Sequence, residues 1–197
     1  MPGREPLLLS TRNPHKLREF NRLLAPASIA VMALPEAVEL PPEDGATFAD
    51  NAVPKARAAA AATGRTAIAD DSGIAAEALG GRPGVRSARY AGEHATDTQN
   101  LHKLMRDVPV GSGLEYVCAL AYVDPATGTE RVFFGTCHGQ LASTASGTGG
   151  FGYDPAFLPD GDFGGRTMAE LSDAEKDAIS HRGRAVAALV QWLTSTG

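Results

Sequence analysis

The sequence contains the stretch Leu7-Leu-Leu-Ser-Thr-Arg-Asn-Pro-His-Lys-Leu-Arg-Glu-Phe20, in which a short apolar run leads directly into a helical pattern. The three leucines predict a buried strand. Asn13 is a favourable N-cap and Pro14 suits the first helical position, so a helix is predicted to begin here. Apolar residues then recur at helical spacing until Pro26 ends the pattern. A strand that passes at once into a helix is typical of an α/β protein.

Further strands and helices follow along the chain. Ala67-Ile-Ala69 predicts a second short buried strand, which runs into the polar turn Asp70-Asp-Ser-Gly73 at its end. The segments Tyr116–Val123 and Glu130–Cys137 predict a β-hairpin. Helices are predicted behind the capping boxes Thr47–Asp50 and Ser172–Glu175, over Asp97–Asp107, and from Arg184 to about Thr194. The elements predict an α/β fold with a mixed sheet.

Two helices contain residues that interrupt the pattern. Pro54 either kinks the helix behind Thr47 or marks the start of its regular part. The helix behind Ser172 is expected to stall at Ser180-His-Arg-Gly183, before the last helix begins.

Length and composition limit the classes of protein. The 197 residues carry a net charge of −5, which fits one globular domain and argues against a general nucleic-acid binder. No apolar run is long enough for a membrane helix, and Met1–Pro6 lacks a signal-peptide pattern, so we expect a cytoplasmic protein without a membrane partner. Cys118 and Cys137 lie among apolar residues and are predicted to be reduced.

The segment Thr11–Lys16 lies where a predicted strand meets a helix. A helix N-terminus offers free N–H groups and a partial positive charge, which suit a phosphate. Arg12 and Lys16 add cations. The alternative is an ordinary capped helix with solvated basic residues.

The Asp70-Asp-Ser-Gly73 turn places two carboxylates after a strand, where ligands bind in open α/β sheets. Neighbouring side chains on a strand point to opposite faces, so one of the two carboxylates would face a ligand. Carboxylate oxygens suit Mg²⁺, and Glu43 is a candidate second ligand. The alternative is a turn in which the aspartates cap backbone N–H groups.

Two later segments suit a planar ligand. In Gly147-Thr-Gly-Gly-Phe-Gly-Tyr-Asp-Pro155, glycines flank Phe151, so backbone and ring can approach a base closely. Lys176 and the segment Ser180–Arg184 place an ammonium, a hydroxyl, an imidazole and guanidinium groups near a helix break. The alternatives are a flexible loop with Phe151 in the core, and a basic helix end that complements the helix dipole.

In this order, the segments closely resemble the inosine triphosphate pyrophosphatase family, whose members hydrolyse non-standard purine nucleoside triphosphates. The resemblance covers almost the whole chain. The matching segments are Ser10–Phe20, Thr47–Ala52, Lys55–Arg57, Ala67–Gly73, Ala78–Gly92, Gly147–Pro155, Ala169–Leu171 and Ile179–Gly183.

The resemblance implies an elongated mixed sheet with flanking helices, in two lobes around a central cleft, as a single domain over residues 1–197 that is usually a homodimer. It also implies Mg²⁺-dependent cleavage of ITP, dITP or XTP to the monophosphate and diphosphate. The residues that it implies at the phosphates are Thr11, Asn13, Lys16 and Lys55. Glu43 and Asp71 would hold Mg²⁺, with Asp71 as proton acceptor for the attacking water. Ser72 would contact the substrate. Those implied at the base are Phe151 as the stacking ring, Gly152, Tyr153 and Asp154 beside it, and Lys176, His181 and Arg182 at the purine edge.

The sequence departs from the family pattern at three positions. Arg12 and His15 stand where glycine is common, so they either crowd the phosphates or, at Arg12, supply an extra substrate-binding cation. Pro54 replaces an aliphatic residue beside Lys55 and makes the direction of that lysine uncertain. Three rival functions are a pyrophosphatase for pyrimidine or modified nucleotides, a purine-nucleotide sensor without hydrolysis, and a generic binding module that uses none of these sites.

Overall fold

The computed structural model describes residues 5–195. Residues 1–4, which belong to the N-terminal segment without a signal-peptide pattern, and residues 196–197 lie outside the described part. Six strands are present in residues 5–195: β1 (Leu7–Leu9), β2 (Val31–Ala33), β3 (Ala67–Ala76), β4 (Gly113–Asp124), β5 (Thr129–Leu141) and β6 (Phe157–Pro159). The α-helices of the same range are α1 (Pro14–Leu24), α2 (Phe48–Thr63), α3 (Asp97–Asp107), α4 (Asp173–Ile179) and α5 (His181–Ser195).

The strands form one mixed sheet in the order β2-β1-β3-β4-β5-β6. β1 runs parallel to both β2 and β3, and β5 runs antiparallel to β6. β4 and β5 are neighbours joined by only four residues, 125–128, as the predicted hairpin requires. The α/β class and the mixed sheet are therefore confirmed.

The helix starts follow the predicted caps. The Asn13 side chain accepts hydrogen bonds from the N–H groups of His15 and Lys16, and Pro14 is the first residue of α1. Thr47 and Ser172 form capping boxes at α2 and α4. α2 begins at Phe48 and continues through Pro54, so the interpretation that its regular part starts at the proline is wrong.

β3 is longer than predicted and replaces the expected turn at Asp70-Asp-Ser-Gly73. The strand continues to Ala76, so both aspartates lie inside it. Turn-forming residues stay extended here because tertiary partners bind them: the side chains of Asp70 and Asp71 bond to neighbouring side chains, and the Ile74 N–H donates to Ser87 Oγ. The prediction that these carboxylates follow the end of a strand is wrong.

The last helix also begins earlier than predicted. α5 starts at His181, so His181-Arg-Gly183 forms its first turn rather than a break before Arg184. The Ser180 hydroxyl accepts a hydrogen bond from the Gly183 N–H at 3.0 Å, as a helix N-cap does. The interruption is confined to Ser180, where α4 stops in an extended conformation.

The described chain forms two compact units. The first unit comprises residues 5–71, 118–134 and 184–195, and the second comprises residues 72–117 and 135–183. The first unit has an apolar core that includes Phe20, Ile68, Leu120 and Leu189. The second unit has its own core, which includes Ile74, Leu104, Tyr116 and Phe157.

Two further predictions concern the cysteines and the membrane. Cys118 and Cys137 are both buried thiols that form no disulfide, on β4 and β5, as expected. Among residues 5–195, no helix combines the length and the apolar character that crossing a membrane demands.

Candidate functional site

β3 places two buried carboxylates in the first unit. Asp70 and Asp71 are consecutive strand residues, so their side chains leave opposite faces. Asp70 Oδ2 lies 3.0 Å from Lys16 Nζ of α1. Asp71 Oδ2 accepts a hydrogen bond of 2.9 Å from Asn51 Nδ2 of α2. Each carboxylate is therefore held by a different helix.

Lys55 joins the same group from α2. Its side chain is buried, and its ammonium bonds to Glu43 Oε1 at 2.5 Å and to the Asp70 carbonyl at 2.8 Å. The Ser10 hydroxyl donates to the Lys55 carbonyl, which ties the helix to the end of β1. The Pro54 substitution therefore leaves Lys55 directed at the acidic residues.

Burial and charge shift the pKa values of two of these acids in opposite directions. Burial raises the pKa of the Asp71 carboxyl, although Lys55 and the hydrogen bond from Asn51 act against it. Burial would also raise the pKa of Glu43, but the adjacent Lys55 ammonium and Lys16 hold it below its usual value. Glu43 is therefore kept as a carboxylate, while ionised Asp71 is a comparatively strong base, which suits a proton acceptor.

The carboxylates of the first unit fit a magnesium ion by their chemistry. Within residues 5–195, no three His, Cys, Asp or Glu side chains form a complete metal-binding group. Mg²⁺ does not require one, because it takes one or two carboxylates and completes its shell with waters and substrate phosphates. Glu43 and Asp71 supply that number of hard oxygen ligands.

The helix start at Thr11–Lys16 differs in part from the prediction. Thr11 Oγ1 accepts from the Asn13 N–H, and Asn13 caps α1. The guanidinium of Arg12 donates to four carbonyls, at Leu34, Pro35, Glu36 and Val38. This geometry argues against Arg12 as an extra phosphate cation, since its donors stabilise the segment after β2. Lys16 is the cation of this turn that faces the acids.

In the second unit, Asp154 organises the glycine-rich loop. Its carboxylate accepts hydrogen bonds from Lys176 Nζ (2.8 Å), the Tyr116 hydroxyl (3.0 Å) and the Phe151 N–H (2.9 Å). Gly150 has φ of +67°, and a Cβ there would collide with Asp154 Oδ2 and Lys176 Nζ. The glycine before Phe151 is therefore required by both conformation and close approach.

Phe151 lies beside two buried cations. Its half-buried ring has its centroid 5.5 Å from Lys176 Nζ and 5.7 Å from Arg182 Cζ. Arg182 is 2% exposed, and its Nη2 donates to Ser72 Oγ at 2.8 Å. His181 stacks on the Tyr116 ring, with centroids 4.7 Å apart and planes at 11°. The structure thus brings together, within the second unit, residues that were predicted from segments far apart in the sequence.

Two residues next to Phe151 anchor the loop. The buried Tyr153 donates its hydroxyl to the Ser87 carbonyl at 2.7 Å, so its side chain holds the loop to the second unit. The Gly152 N–H donates to Asp97 Oδ2 at 3.1 Å.

Burial and the neighbouring Asp154 charge raise the pKa of Tyr116, so that its hydroxyl keeps its proton and donates to Asp154.

Comparison with known proteins decides the family. Residues 7–192 match the Ham1 family. The chain belongs to the Ham1 family. Its relatives include the dITP/XTP pyrophosphatase of Erwinia tasmaniensis, 49% identical over 91% of this chain and 90% of the relative. That of Geobacillus kaustophilus is 46% identical over 94% of this chain and 93% of the relative.

Solved Ham1 structures have the same fold. A HAM1 protein from Coxiella burnetii is 37% identical, with a TM-score of 0.84 over 96% of this chain and 98% of that one. A nucleoside-triphosphatase (dITP/XTP pyrophosphatase) from Mycobacterium abscessus is 44% identical, with a TM-score of 0.70 over 95% of this chain and 99% of that one. The family predicted from the sequence motifs is confirmed.

Some described residues of this Ham1-family chain contact the predicted site residues but were not predicted to do so, among them Asn51, Tyr116 and Asp97. Asn51 bonds to Asp71, Tyr116 bonds to Asp154, and Asp97 bonds to the backbone at Gly152. Asn51 lies in the Thr47–Ala52 segment that supported the resemblance, which was the only signal available for it. Tyr116 and Asp97 resemble ordinary strand and helix-start residues in the sequence.

Proposed function

We propose that this protein hydrolyses non-standard purine nucleoside triphosphates, ITP, dITP and XTP, to the monophosphate and diphosphate, and so removes them from the nucleotide pool. The observation that carries the proposal is the group of three acids, Glu43, Asp70 and Asp71, held with the ammonium groups of Lys16 and Lys55. The names of the relatives support the same reaction.

The first unit is proposed to bind the triphosphate. Lys16 and Lys55 balance its negative charge, with Thr11 and Asn13 at the start of α1 beside them. Glu43 and Asp71 would hold Mg²⁺, which when bound neutralises charge on the departing diphosphate. Asp71 orients a water for attack on the α-phosphorus and accepts its proton as the bond to the diphosphate oxygen breaks.

The second unit is proposed to bind the nucleoside. Phe151 stacks on the base, with the Gly152 and Tyr153 backbone beside it and Ser72 near the substrate. Lys176, His181 and Arg182 face the purine edge. Asp154 accepts three hydrogen bonds from the protein. A carboxylate offers about four lone-pair sites, and Asp154 is proposed to accept the N1–H of hypoxanthine at the fourth.

Arg182 is proposed to select the base. Hypoxanthine and xanthine present an acceptor at O6, whereas adenine presents an amino donor at that position, so that a guanidinium N–H directed at it would meet a second donor. We expect Arg182→Met, which keeps the buried aliphatic stem, to lower the ratio of kcat/KM for ITP over ATP by about tenfold or more. An unchanged ratio, with kcat/KM lowered equally for both nucleotides, would remove Arg182 from base selection.

A panel of nucleoside triphosphates with diphosphate detection tests the function. We expect diphosphate release from ITP, dITP and XTP with kcat/KM at least about 100-fold above that for ATP, because mismatched buried polar groups discriminate strongly. EDTA is expected to abolish release, and added Mg²⁺ to restore it. Preferred turnover of a pyrimidine nucleotide would favour the first rival function, and tight binding without diphosphate release would favour the sensor.

The remaining expectations from the sequence and from the resemblance belong to the same proposal. We infer that the protein acts in the cytoplasm as a homodimer, and that the two units form one functional domain. The net charge of −5 supports the absence of a nucleic-acid partner, because such partners require a basic surface. Analytical ultracentrifugation tests the dimer directly.

A further inference from the structure

Asn51 is a buried amide that joins two parts of the proposed catalytic group. Its Nδ2 donates to Asp71 Oδ2 at 2.9 Å, and its Oδ1 accepts from the Gly45 N–H at 2.8 Å. Gly45 follows Glu43 by two residues, and a Cβ at Gly45 would collide with Asn51 Oδ1. One side chain thus contacts both the proposed proton acceptor and the segment that carries the second carboxylate.

We propose that Asn51 is a positioning residue, which holds the Asp71 carboxylate and the Glu43 segment in one arrangement. The proposal rests on the proposed function, because it assigns Asn51 a role in that reaction. The amide is suited to it: one end faces a donor and the other faces an acceptor, so only one orientation satisfies both. The bond to Oδ2 also restricts rotation of the Asp71 carboxylate.

The chain contains a matched control for this residue. Asn51 is the fourth residue of α2, behind the capping box of Thr47, and Asn100 is the fourth residue of α3, behind the capping box of Thr96. Both are 2% exposed. Asn100 also bridges two groups, but both are backbone: its Oδ1 accepts from the Ala91 N–H and its Nδ2 donates to the Ala88 carbonyl. Of these two asparagines, Asn51 contacts a carboxylate of the proposed site and Asn100 does not.

The kinetic test compares Asn51→Ala with Asn100→Ala in dITP hydrolysis. Both substitutions remove two hydrogen bonds made by a buried side chain, so both are expected to lower the thermal midpoint. We expect Asn51→Ala to lower kcat about 100-fold with KM changed less than about threefold, because a misplaced reacting group costs turnover rather than binding. Asn100→Ala is expected to keep kcat within about threefold of the wild type.

A second variant separates the two bonds of Asn51. Asn51→Asp keeps an oxygen that accepts from the Gly45 N–H. It replaces the amide nitrogen that donates to Asp71 with a carboxylate oxygen, which cannot donate. We expect amide hydrogen exchange at Gly45 to be about tenfold faster in Asn51→Ala and unchanged in Asn51→Asp, while kcat falls in both. The exchange measurement needs no substrate or metal, and the near-isosteric Asn51→Asp decides the question where Asn51→Ala does not fold.

The outcomes separate the inference from the proposed function. If the wild type releases no diphosphate from any purine triphosphate, the proposed function is wrong and the role of Asn51 in it falls with it. If the wild type is active and Asn51→Ala has the kcat of Asn100→Ala, the function stands and the positioning role is overturned. If Asn51→Asp has the kcat of the wild type, the proposed role of the Asn51–Asp71 hydrogen bond is overturned, while the role of the bond to Gly45 is not affected.

Discussion

Asp71→Asn is expected to lower kcat for dITP hydrolysis by about 10³-fold while the nucleotide still binds. The substituted amide keeps a hydrogen-bonding oxygen for Asn51 Nδ2, so the local geometry is retained. It has no carboxylate oxygen to accept a proton from the attacking water. Diphosphate release measures kcat, and nucleotide titration in the absence of turnover measures Kd.

The same variant has an expected effect on stability. The pKa of Asp71 is raised by burial, so ionising this carboxyl costs free energy in the folded state. Its protonated form favours folding at low pH, and that contribution is lost as pH rises through the raised pKa. At neutral pH and in EDTA, we therefore expect the thermal midpoint of Asp71→Asn to equal or exceed that of the wild type.

Asp124→Asn provides the control for this prediction. Asp124 lies at the end of β4 in the first unit, where its carboxylate bonds to the Ala126 N–H and the Thr127 hydroxyl of the hairpin turn. We expect Asp124→Asn to have the kcat of the wild type. Wild-type kcat in Asp71→Asn would remove Asp71 from the mechanism, whereas a loss of kcat together with a large fall in the thermal midpoint would indicate misfolding instead.

The second large effect concerns stability and the loop at Phe151. Lys176→Met removes the cation from a buried ion pair whose two side chains are 7% and 5% exposed. Asp154 then keeps only the hydrogen bonds from Tyr116 and the Phe151 N–H. Leaving one buried charge without its partner costs about 3–5 kcal/mol, which lowers the thermal midpoint of a chain this long by about 10 °C or more.

An exposed pair in the other unit is the control. Arg57 and Glu130 form two hydrogen bonds of 2.6 and 2.8 Å, but the Arg57 side chain is 61% exposed. Arg57→Met is therefore expected to change the free energy of unfolding by less than about 1 kcal/mol. If the thermal midpoint of Lys176→Met is as close to that of the wild type as the midpoint of Arg57→Met is, Asp154 does not depend on the buried cation.

Because Asp154 also binds the Phe151 backbone, we further expect a raised KM in Lys176→Met.

Local sequence was sufficient for the starts of α1, α2 and α4 and for the hairpin. Asn13, Thr47 and Ser172 cap their helices as predicted, because an N-cap depends on a side chain and the backbone two or three residues ahead. The family was also predicted from motifs spread over the chain and is confirmed.

Sequence reasoning was wrong where distant residues determine the local conformation. The turn predicted at Asp70-Asp-Ser-Gly73 is strand, because Lys16 and Asn51 bind its two carboxylates and Ser87 binds the backbone of the next residue, Ile74. The sequence also did not indicate that the Arg12 guanidinium donates to four carbonyls of the segment after β2. No spacing rule signals these contacts.

The sequence by itself determined the secondary-structure signals, the α/β class and the family, since each depends on residue types in a local order. Only the tertiary structure decided which donor meets which acceptor: Lys55 with Glu43, Asn51 with Asp71, and Lys176 and Tyr116 with Asp154. The reason is physical. Buried polar groups must find partners, and the nearest partner in a folded chain is set by packing between elements and not by distance along the sequence.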